Sequence, residues 1–499
     1  MQIELVTTPY SEMASNILLV GLWEGEAELP SDIAELNEKL NNAIKCFVIE
    51  KEKFNGAYGK FYKIPTYGTL PSDKIIFFGL GKKSELTLNK LRVLASKIVK
   101  KCATVKNNKN ISFSMLNLQD TPFGICDAVK VLTEGLMIGE YSFDKYKNLD
   151  KTSTEDEEKI ENIALTDLSE SNINDAISGF ANGLIVSESV NFARDLINDQ
   201  PQVVTPDKIA QTALSLSEVE VKIYEKDQIE EMGMGAFLGV AQGGGYAPKF
   251  IHIKYACENP KKKIAIIGKS ITFDSGGLDL KPPASMLNMK DDMSGSAAVL
   301  GVMLALPKLN PNVEVHGIIA STENMISEKA FKPGDILTAK NKKTIEIDNT
   351  DAEGRLTLAD ALCYAEELEV DEIIDIATLT GACLVALGSA ASGIMGSNDE
   401  LIKKLIKEAD SEGENLWELP MYDDYKEALK SDIADMKNTG SRNGGASIAG
   451  VFLKNFVKDT PWAHIDIAGT AFLEKAQGEY GKGATGVGVR TLIKHILSV

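Results

Sequence analysis

Residues 344–366 read TIEIDNTDAEGRLTLADALCYAE, and the hydrophobic pattern changes in the middle of this stretch. The first residues alternate between polar and apolar side chains, which is typical of a half-buried β-strand. From Leu356 onward, apolar residues recur at helical spacing. The turn between the two segments holds Asp351, Glu353 and Arg355. A strand-to-helix turn that carries this much charge is a candidate functional site.

The rest of the chain also alternates between strand-like and helix-like segments. Four apolar runs of strand type lie in the second half, namely KKIAIIGK (262–269), VEVHGIIAS (313–321), DEIIDIATL (371–379) and WAHIDIAG (462–469). Such runs, separated by helices, predict a mostly parallel sheet that is covered by helices on both faces. The first third alternates in the same way, with strand-like runs at ASNILLVGL (14–22) and KIIFFGLG (74–81). We therefore expect an α/β protein with a large C-terminal domain and a smaller N-terminal α/β domain.

The composition also indicates where the two domains meet. At 499 residues the chain is too long for a single small core. Residues 148–172 are acidic and rich in Ser and Thr, and they form the best candidate boundary. We therefore predict an N-terminal domain with its acidic linker at residues 1–170 and a C-terminal domain at residues 171–499. The latter should open with a long helix that ends near Asn198 and has an apolar face of Ile173, Ile177, Phe180 and Leu184.

Charge and cysteine usage restrict the functional class. The formal net charge of −19 argues against a general nucleic-acid-binding protein, because such a chain would repel phosphate. The N-terminus has no basic segment followed by an apolar block, and no run of about 18 apolar residues occurs, so neither a signal peptide nor a membrane span is expected. The six cysteines show no CxxC spacing, which favours reduced thiols in the core. We expect a cytoplasmic protein.

Acidic and basic side chains follow several of the predicted strands. In open α/β sheets, ligands bind outside the carboxyl ends of the strands. The residues at these positions are Lys269, Asp274, Lys281, Asp291, Asp292, Asp351, Glu353 and Arg355. Clustered carboxylates repel one another unless they are protonated or neutralised. Two divalent metal ions that share a bridging carboxylate are the simplest means of neutralising them.

The histidines narrow the type of metal site. The four histidines (His252, His316, His464 and His495) lie in or beside apolar segments, outside these loops, and the sequence has no HExxH motif. The metal ligands should therefore be oxygen atoms, with a neutral lysine amine as a further candidate. Each segment alone also has a structural explanation: DAEGR could be a capped helix start and DSGG a tight turn. Their joint occurrence at successive strand ends favours a site.

These motifs resemble those of the leucyl aminopeptidase (cytosol aminopeptidase) family. NTDAEGRL (349–356) resembles the signature of that family, and four further blocks occur in the same order: GKSITFDSGGLDLKP (268–282), NMKDDMSGSAAVLG (288–301), DIATLTGA (375–382) and WAHIDIAGTAF (462–472). The resemblance covers roughly residues 170–499. It implies a metal-dependent aminopeptidase that releases the N-terminal residue of peptides, with leucine and similar residues preferred. It also implies a homohexamer.

The resemblance also implies a role for each matching residue. One metal ion, Mn²⁺ or Zn²⁺, would be held by Lys269, Asp274, Asp292 and Glu353, and a second by Asp274, Asp351 and Glu353. Lys281 would polarise the substrate carbonyl, and Arg355 would hold a bicarbonate that serves as the proton shuttle. Met289, Thr378 and Gly381 would line the pocket for the N-terminal side chain. Asp291 departs from the family, which more often has a neutral residue there.

Two other functions are compatible with parts of this pattern. Oxygen-rich metal pairs also suit phosphoryl transfer, so a two-metal phosphohydrolase is one alternative. Release of phosphate from an aryl phosphate, without hydrolysis of amino-acyl amides, would identify it. A DNA-binding regulator is the other alternative, although the acidic charge weighs against it. A salt-dependent mobility shift with duplex DNA would support that function.

Overall fold

A computed structural model describes residues 1–25, 31–119, 121–148 and 159–499. The chain divides into two compact units, Met1–Glu188 with Ala476–Gly481, and Ser189–Lys475 with Lys482–Val499. Residues 149–158 of the predicted acidic boundary lie outside the described residues. Later in that stretch, residues 162–166 form a β-strand. The boundary predicted at residue 170 stays a prediction.

The first unit is built on a six-stranded sheet. Its strands are β1 (Gln2–Leu5), β2 (Ile17–Trp23), β3 (Phe61–Pro65), β4 (Lys74–Gly81), β5 (Asn110–Ser114) and β6 (Asn162–Thr166). Its helices include α1 (Ser31–Lys39), α2 (Leu88–Ala103), α3 (Leu116–Gln119) and α4 (Ile125–Glu140), with a π-helical segment at Ile44–Lys51 and a 3₁₀ turn at Lys83–Glu85. The strand order is β1-β6-β5-β2-β4-β3, and all neighbours are parallel except β3 and β4. The predicted N-terminal α/β architecture is confirmed.

The long helix α5 (Ile173–Asn198) is confirmed, and Ile173 and Phe180 of its predicted apolar face pack against the core of the first unit. Ile177, predicted on the same face, is instead 49% exposed. The buried side of this part of the helix also carries small residues, and a Cβ atom at Gly179 would collide with the carbonyl of Cys126 in α4. Because glycine has no side chain, it lets α5 and α4 approach closely, and Gly179 marks this contact.

The second unit contains the larger sheet. Its strands are β7 (Glu220–Tyr224), β8 (Lys249–Tyr255), β9 (Lys263–Asp274), β10 (Glu314–Asn324), β11 (Ile336–Thr338), β12 (Thr344–Glu346), β13 (Glu372–Ala377), β14 (Ser392–Gly396), β15 (Leu416–Glu418), β16 (Met436–Lys437), β17 (Trp462–Asp466), β18 (Phe472–Leu473) and β19 (Gly483–Ala484). Its helices, after the end of α5, are α6 (Pro206–Leu214), α7 (Lys226–Glu231), α8 (Gly235–Ala241), α9 (Pro283–Met286), α10 (Ser294–Leu309), α11 (Gly354–Glu366), α12 (Gly381–Leu387), α13 (Asp399–Glu412), α14 (Asp424–Glu427), α15 (Gly445–Lys454) and α16 (Val489–Leu497). A 3₁₀ turn spans Met289–Asp291.

The eight-stranded sheet has the order β15-β14-β17-β13-β9-β10-β8-β7. The four strands predicted from apolar runs form its centre, where β17, β13, β9 and β10 are mutually parallel. The β14–β17, β10–β8 and β8–β7 pairs are antiparallel. One face of β9 packs with α8, α11 and α15 in a single apolar cluster that includes Phe237, Leu356 and Phe452. The predicted helix-covered, mostly parallel sheet is confirmed.

The strand predicted before the charged turn is present, and it belongs to a separate small sheet. TIEIDNT forms only β12, in the small sheet β11-β12-β16, rather than a strand of the main sheet. The side-chain oxygen of Asn438 accepts hydrogen bonds from the backbone N–H groups of Asp348 and Asn349, at 2.8 and 3.3 Å. Because these N–H groups are satisfied by a side chain, the chain leaves strand pairing early and turns towards α11.

The expectations from composition are met in part. Among the described residues, no helix is long and apolar enough to cross a membrane. Cys102, Cys363 and Cys383 are buried free thiols, as predicted, but Cys46 is exposed.

Candidate metal centre

Strand β9 supplies the first two groups of the site. Lys269 lies in its second half and Asp274 is its last residue. Pairing with β10 shifts register between Thr322 and Asn324, so that three steps along β9 match two along β10. This bulge places Asp274 opposite Asn324. Bulges of this kind re-aim side chains next to functional sites.

Glycines make room for the side chains of Asp351 and Lys269. Gly276 and Gly277, just after Asp274 and Ser275, have φ values of +88° and +66°, which residues other than glycine rarely adopt. A Cβ at Gly276 would also lie 2.8 Å from an Asp351 carboxylate oxygen. A Cβ at Gly354 would collide with the Lys269 side chain. The structural explanation of DSGG as a tight turn is therefore correct. The space left by the missing side chain of Gly276 is filled by the Asp351 carboxylate.

Lys269 joins three segments. Its Nζ lies 2.7 Å from Asp292 Oδ1 and 3.1 Å from Glu353 Oε1, and it donates to the carbonyl of Thr378 at 3.0 Å. The side chain is 4% exposed. Burial alone would lower the pKa of Lys269, but the carboxylates of Asp292, Glu353 and Asp274 raise it above its usual value. Without metal ions, this lysine is a buried ammonium.

Lys281 neutralises a second pair of carboxylates. Its Nζ lies 2.8 Å from Asp274 Oδ2 and 2.6 Å from Asp351 Oδ1. Burial opposes its charge, yet these carboxylates and Glu353 raise the pKa of Lys281 above its usual value. Asp279, two residues earlier, accepts hydrogen bonds from the backbone and hydroxyl of Thr350 at 2.7 and 3.1 Å.

Three carboxylates lie close enough to share a cation. Oxygen atoms of Asp274, Asp351 and Glu353 are all within 4.8 Å of one another. Burial and then the Glu353 carboxylate raise the pKa of Asp274 to about 6. Burial would also raise the pKa of Glu353, but Lys269 and Lys281 keep it below its usual value. The cluster is held together by two ammonium groups, and additional positive charge would stabilise it further.

Asp292 stands beside this cluster and is connected to it through Lys269. Its Oδ1 accepts from Lys269 and from the hydroxyl of Thr378, at 2.7 and 2.8 Å. Its Oδ2 is buried and has no hydrogen-bond partner in the described part of the chain. Burial raises the pKa of Asp292 well above its usual value. An oxygen-rich donor set with an unpartnered buried carboxylate oxygen fits a hard or borderline divalent ion.

Arg355 is a buried cation near the start of α11. One guanidinium nitrogen donates to the carbonyl of Asn438 at 2.8 Å, and the group lies 5.9 Å from the ring centre of Phe452. Its Nε has no hydrogen-bond partner, and no carboxylate pairs with it, among the described residues. Burial lowers the pKa of Arg355 to about 10. A buried guanidinium with unused donors at a helix start is suited to a small anion.

Of the three predicted pocket residues, Thr378 contacts the site directly, at Asp292 and Lys269. Met289 is half-buried on the 3₁₀ turn that leads to Asp292, and Gly381 is exposed at the start of α12. Met289 precedes Asp292 by three residues and Gly381 follows Thr378 by three, so the pocket role of these two stays a prediction.

Two further polar residues belong to this arrangement and were not predicted. Asn324, the last residue of β10, donates to Asp274 and Glu353. Asp466, the last residue of β17, accepts from the backbone of Leu379 at 3.2 Å and from the hydroxyl of Thr380 at 2.7 Å. Both end central strands of the main sheet, and the rule that groups charged residues at strand ends could have identified Asp466.

Comparison with known proteins identifies the family of this chain. The sequence profile of the cytosol aminopeptidase family, catalytic domain, matches residues 191–493, and that of the N-terminal domain of the same family matches residues 19–149. A probable cytosol aminopeptidase of Cyanothece sp. is 43% identical over 502 residues, which cover 100% of both chains. The chain therefore belongs to the cytosol aminopeptidase family, and the predicted family and enzyme class, an aminopeptidase, are confirmed.

Solved structures are similar over nearly the whole chain. A mutant of the tomato leucine aminopeptidase superposes with a TM-score of 0.87 at 32% identity, covering 100% of this chain and 97% of that one. The bottromycin maturation enzyme BotP in complex with Mn superposes with a TM-score of 0.85 at 27% identity, covering 97% and 99%.

Proposed function

We propose that this protein is a two-metal aminopeptidase that releases the N-terminal residue of peptides, with leucine and similar residues preferred. The observation that carries the proposal is the group of Asp274, Asp351 and Glu353, whose oxygens lie within 4.8 Å of one another. Lys269 connects this group to Asp292 at 2.7 Å. The site therefore offers four carboxylates and one amine.

Both metal ions would be held by these residues. Lys269, Asp274, Asp292 and Glu353 would hold one ion, and Asp274, Asp351 and Glu353 the other, with Asp274 and Glu353 as bridges. When bound, such ions supply Lewis-acid polarisation and a water of lowered pKa. Oxygen ligands with one amine suit Mn²⁺, Zn²⁺ or Co²⁺. The Mn complex of BotP supports Mn²⁺ as one of these.

Two basic side chains would act on the substrate and on the proton. Lys281, whose side chain is 14% exposed, would polarise the scissile carbonyl and stabilise the negative charge that develops on its oxygen. Arg355, with its unused donors, would hold a bicarbonate as the proton shuttle. All four carboxylates would be occupied as ligands, so a separate anion would supply the missing general base.

The substrate would be recognised at its amino-terminal residue. Met289, Thr378 and Gly381 would line the pocket for that side chain, and Thr378 would also fix Asp292 through its hydroxyl. The protein would assemble as a homohexamer, as the family resemblance implies.

A hydrolysis assay tests this function. The chelated full-length enzyme receives Mn²⁺, Zn²⁺ or Co²⁺ and is assayed on amino-acyl p-nitroanilides with leucyl, methionyl, lysyl and aspartyl groups. We expect no activity after chelation, recovery with at least one ion, and fastest turnover of the leucyl substrate.

The matched control substrate is N-acetyl-leucyl p-nitroanilide, which lacks the free amine and should not be cleaved. An aryl phosphate serves as a second control. Full activity in a protein shown to be free of metal, or cleavage of the acetylated substrate, would contradict the proposal.

A further inference from the structure

We infer that Asn324 is a positioning residue that holds the two carboxylates expected to bridge the metal ions, Asp274 and Glu353. The inference rests on the proposed function, because it concerns the ligands of that metal centre. Asn324 ends β10 and lies opposite Asp274 across the bulge between β9 and β10. Neither a charge nor a motif marked it in the sequence.

One amide group contacts acceptors from two distant segments. Nδ2 of Asn324 lies 2.8 Å from Asp274 Oδ1, 3.3 Å from Glu353 Oε2 and 3.1 Å from the carbonyl of Thr350. Asp274 precedes it by 50 residues and Glu353 follows it by 29. The amide therefore connects the end of β9 to the turn before α11.

The orientation of this amide follows from the charges around it. Its nitrogen must face the two carboxylates, because its oxygen would be repelled by them. That oxygen is consequently buried without a hydrogen-bond partner in the described part of the chain, and Asn324 is 1% exposed. A buried unsatisfied acceptor requires an explanation. Here the cost of the unsatisfied oxygen is offset by the hydrogen bonds that the nitrogen donates to the two carboxylates.

The backbone of Asn324 is fixed from the other side. Both the N–H and the hydroxyl of Ser275 donate to its carbonyl, at 2.9 and 2.8 Å. Since Ser275 directly follows Asp274, the two strand ends are tied together at the backbone as well as at the side chains. The amide nitrogen thus has little freedom to move away from its acceptors.

The contacts divide the oxygens of the two carboxylates. On Asp274, Oδ1 binds Asn324 and Oδ2 faces the ammonium of Lys281 at 2.8 Å. On Glu353, Oε2 binds Asn324 and Oε1 faces Lys269 at 3.1 Å. Each carboxylate therefore has one oxygen on a neutral donor and one directed at a cation. Hydrogen bonds of this type orient metal ligands, and their removal typically lowers metal affinity 10–100-fold.

Titration of the stripped, full-length protein with Mn²⁺ alone tests this role. Wild type, Asn324→Ala and Asn324→Ser are compared by calorimetry, and each is compared with its own stripped form for the rise in Tm on adding Mn²⁺. Serine retains a polar group but is too short to reach both carboxylates. We expect both variants to bind Mn²⁺ roughly 10–100-fold more weakly than wild type, with a smaller rise in Tm.

Thr322→Val is the matched control. Thr322 is buried on the same strand two residues earlier, and its hydroxyl donates to the backbone carbonyl of Glu323 at 3.3 Å. This variant should bind Mn²⁺ like wild type. Wild-type affinity and an unchanged Tm rise in the Asn324 variants would overturn the inference alone. A wild-type protein that binds no divalent ion would instead overturn the proposed function, and the inference with it.

Discussion

At the scale of single residues, charged side chains could be assigned to the site from the sequence, whereas the uncharged polar Asn324 could not. The rule that groups acids and bases at strand ends predicted Lys269, Asp274, Asp292 and Glu353 together. In the structure Lys269 contacts Asp292 and Glu353, and an oxygen of Asp274 lies within 4.8 Å of one of Glu353. Asn324 was not predicted as a site residue, because an uncharged amide at a strand end has many ordinary structural roles. Its function depends on the register of a bulge, which is a property of two strands and is not visible in one.

Substitution by arginine should affect metal binding at one lysine of the site and kcat at the other. Lys269 is fully enclosed by Asp292, Glu353 and Gly354, and it can bind a metal ion only as a neutral amine. Lys269→Arg introduces a permanent cation and should weaken binding of one metal ion. Lys281→Arg keeps the charge but alters its reach, so it should retain both ions and lower kcat by about 10²–10³-fold.

Metal titration of the two chelated variants, followed by kinetics, checks this difference. The wild type treated in the same way is the control. Equal metal affinity in both variants would show that the two roles are wrongly assigned.

Arg355 should connect activity to bicarbonate. Its buried guanidinium has an unpartnered Nε, and its pKa of about 10 leaves it charged at neutral pH. In buffer freed of carbon dioxide, added bicarbonate should raise the kcat of the wild type. Arg355→Met should lower kcat by about 10²–10⁴-fold and abolish the response to bicarbonate. The rate is measured with leucyl p-nitroanilide, and a response that persists in the variant would place the anion elsewhere.

At the scale of elements, periodicity identified the central strands and helices but not how they pack. The apolar runs of β9, β10, β13 and β17 are buried on both faces, so their pattern was clear. The alternation in TIEIDNT correctly predicted a strand, but it does not specify which sheet the strand joins. Its partner strand β16 and the neighbouring Asn438, which accepts from the N–H of Asp348, lie about ninety residues further along the chain. The predicted face of α5 was right at Ile173 and Phe180 and wrong at Ile177, and it missed Gly179, because close helix packing uses glycine, which hydrophobic periodicity does not register.

The loop between β13 and α12 depends on one buried carboxylate. Asp466 accepts hydrogen bonds from Leu379 and Thr380, and the neighbouring Thr378 binds Asp292 and Lys269. Asp466→Asn replaces one acceptor by a donor and leaves buried groups unsatisfied, at about 1–3 kcal/mol each. We expect a lower free energy of unfolding and a higher KM for leucyl p-nitroanilide.

Asp375→Asn is the control for this loop. Asp375 is an equally buried carboxylate of the same sheet, but it binds Trp462 and His464 at 2.7 and 2.5 Å rather than the loop. Its variant should lose stability without a change in KM. If both variants change KM alike, the effect of Asp466 is one of general stability.

At the scale of the whole molecule, a charged cluster attaches the C-terminal helix α16. The two ring nitrogens of His495 lie 2.7 Å from Glu408 Oε2 in α13 and 2.6 Å from Glu372 Oε1 in β13. Lys262 pairs with Glu372, and Lys404 lies 3.9 Å from Glu408. Burial would lower the pKa of His495, but its hydrogen bonds to the two glutamates raise it above 6.5. Burial would raise the pKa of each glutamate, but the same contacts lower both below 4.5.

These directions determine how stability should vary with pH. The histidine contribution is complete below about pH 6.5 and is lost as the pH rises through the raised pKa of His495. The glutamate contributions are complete above about pH 4.5 and are lost as the pH falls through their lowered pKa values. The urea midpoint of His495→Gln should therefore fall furthest below wild type between these limits, and less at higher pH. Ser498→Ala removes an uncharged hydroxyl that donates to Glu408 and to the carbonyl of His495, and it should give an offset that is independent of pH between these limits.

The proposed hexamer should depend on the second unit. Leu384 and Val385 are adjacent on α12 and are 46% and 87% exposed, and neighbouring exposed apolar side chains mark interaction surfaces. Val385→Asp should shift the mass measured by light scattering from six chains of 54.1 kDa towards smaller species. Tyr67→Asp is the matched control, since Tyr67 is 89% exposed in the first unit and should leave the mass unchanged. A fully active wild-type monomer at micromolar concentration would refute the assembly itself, whereas a loss of mass in the Tyr67 variant alone would move the interface to the first unit.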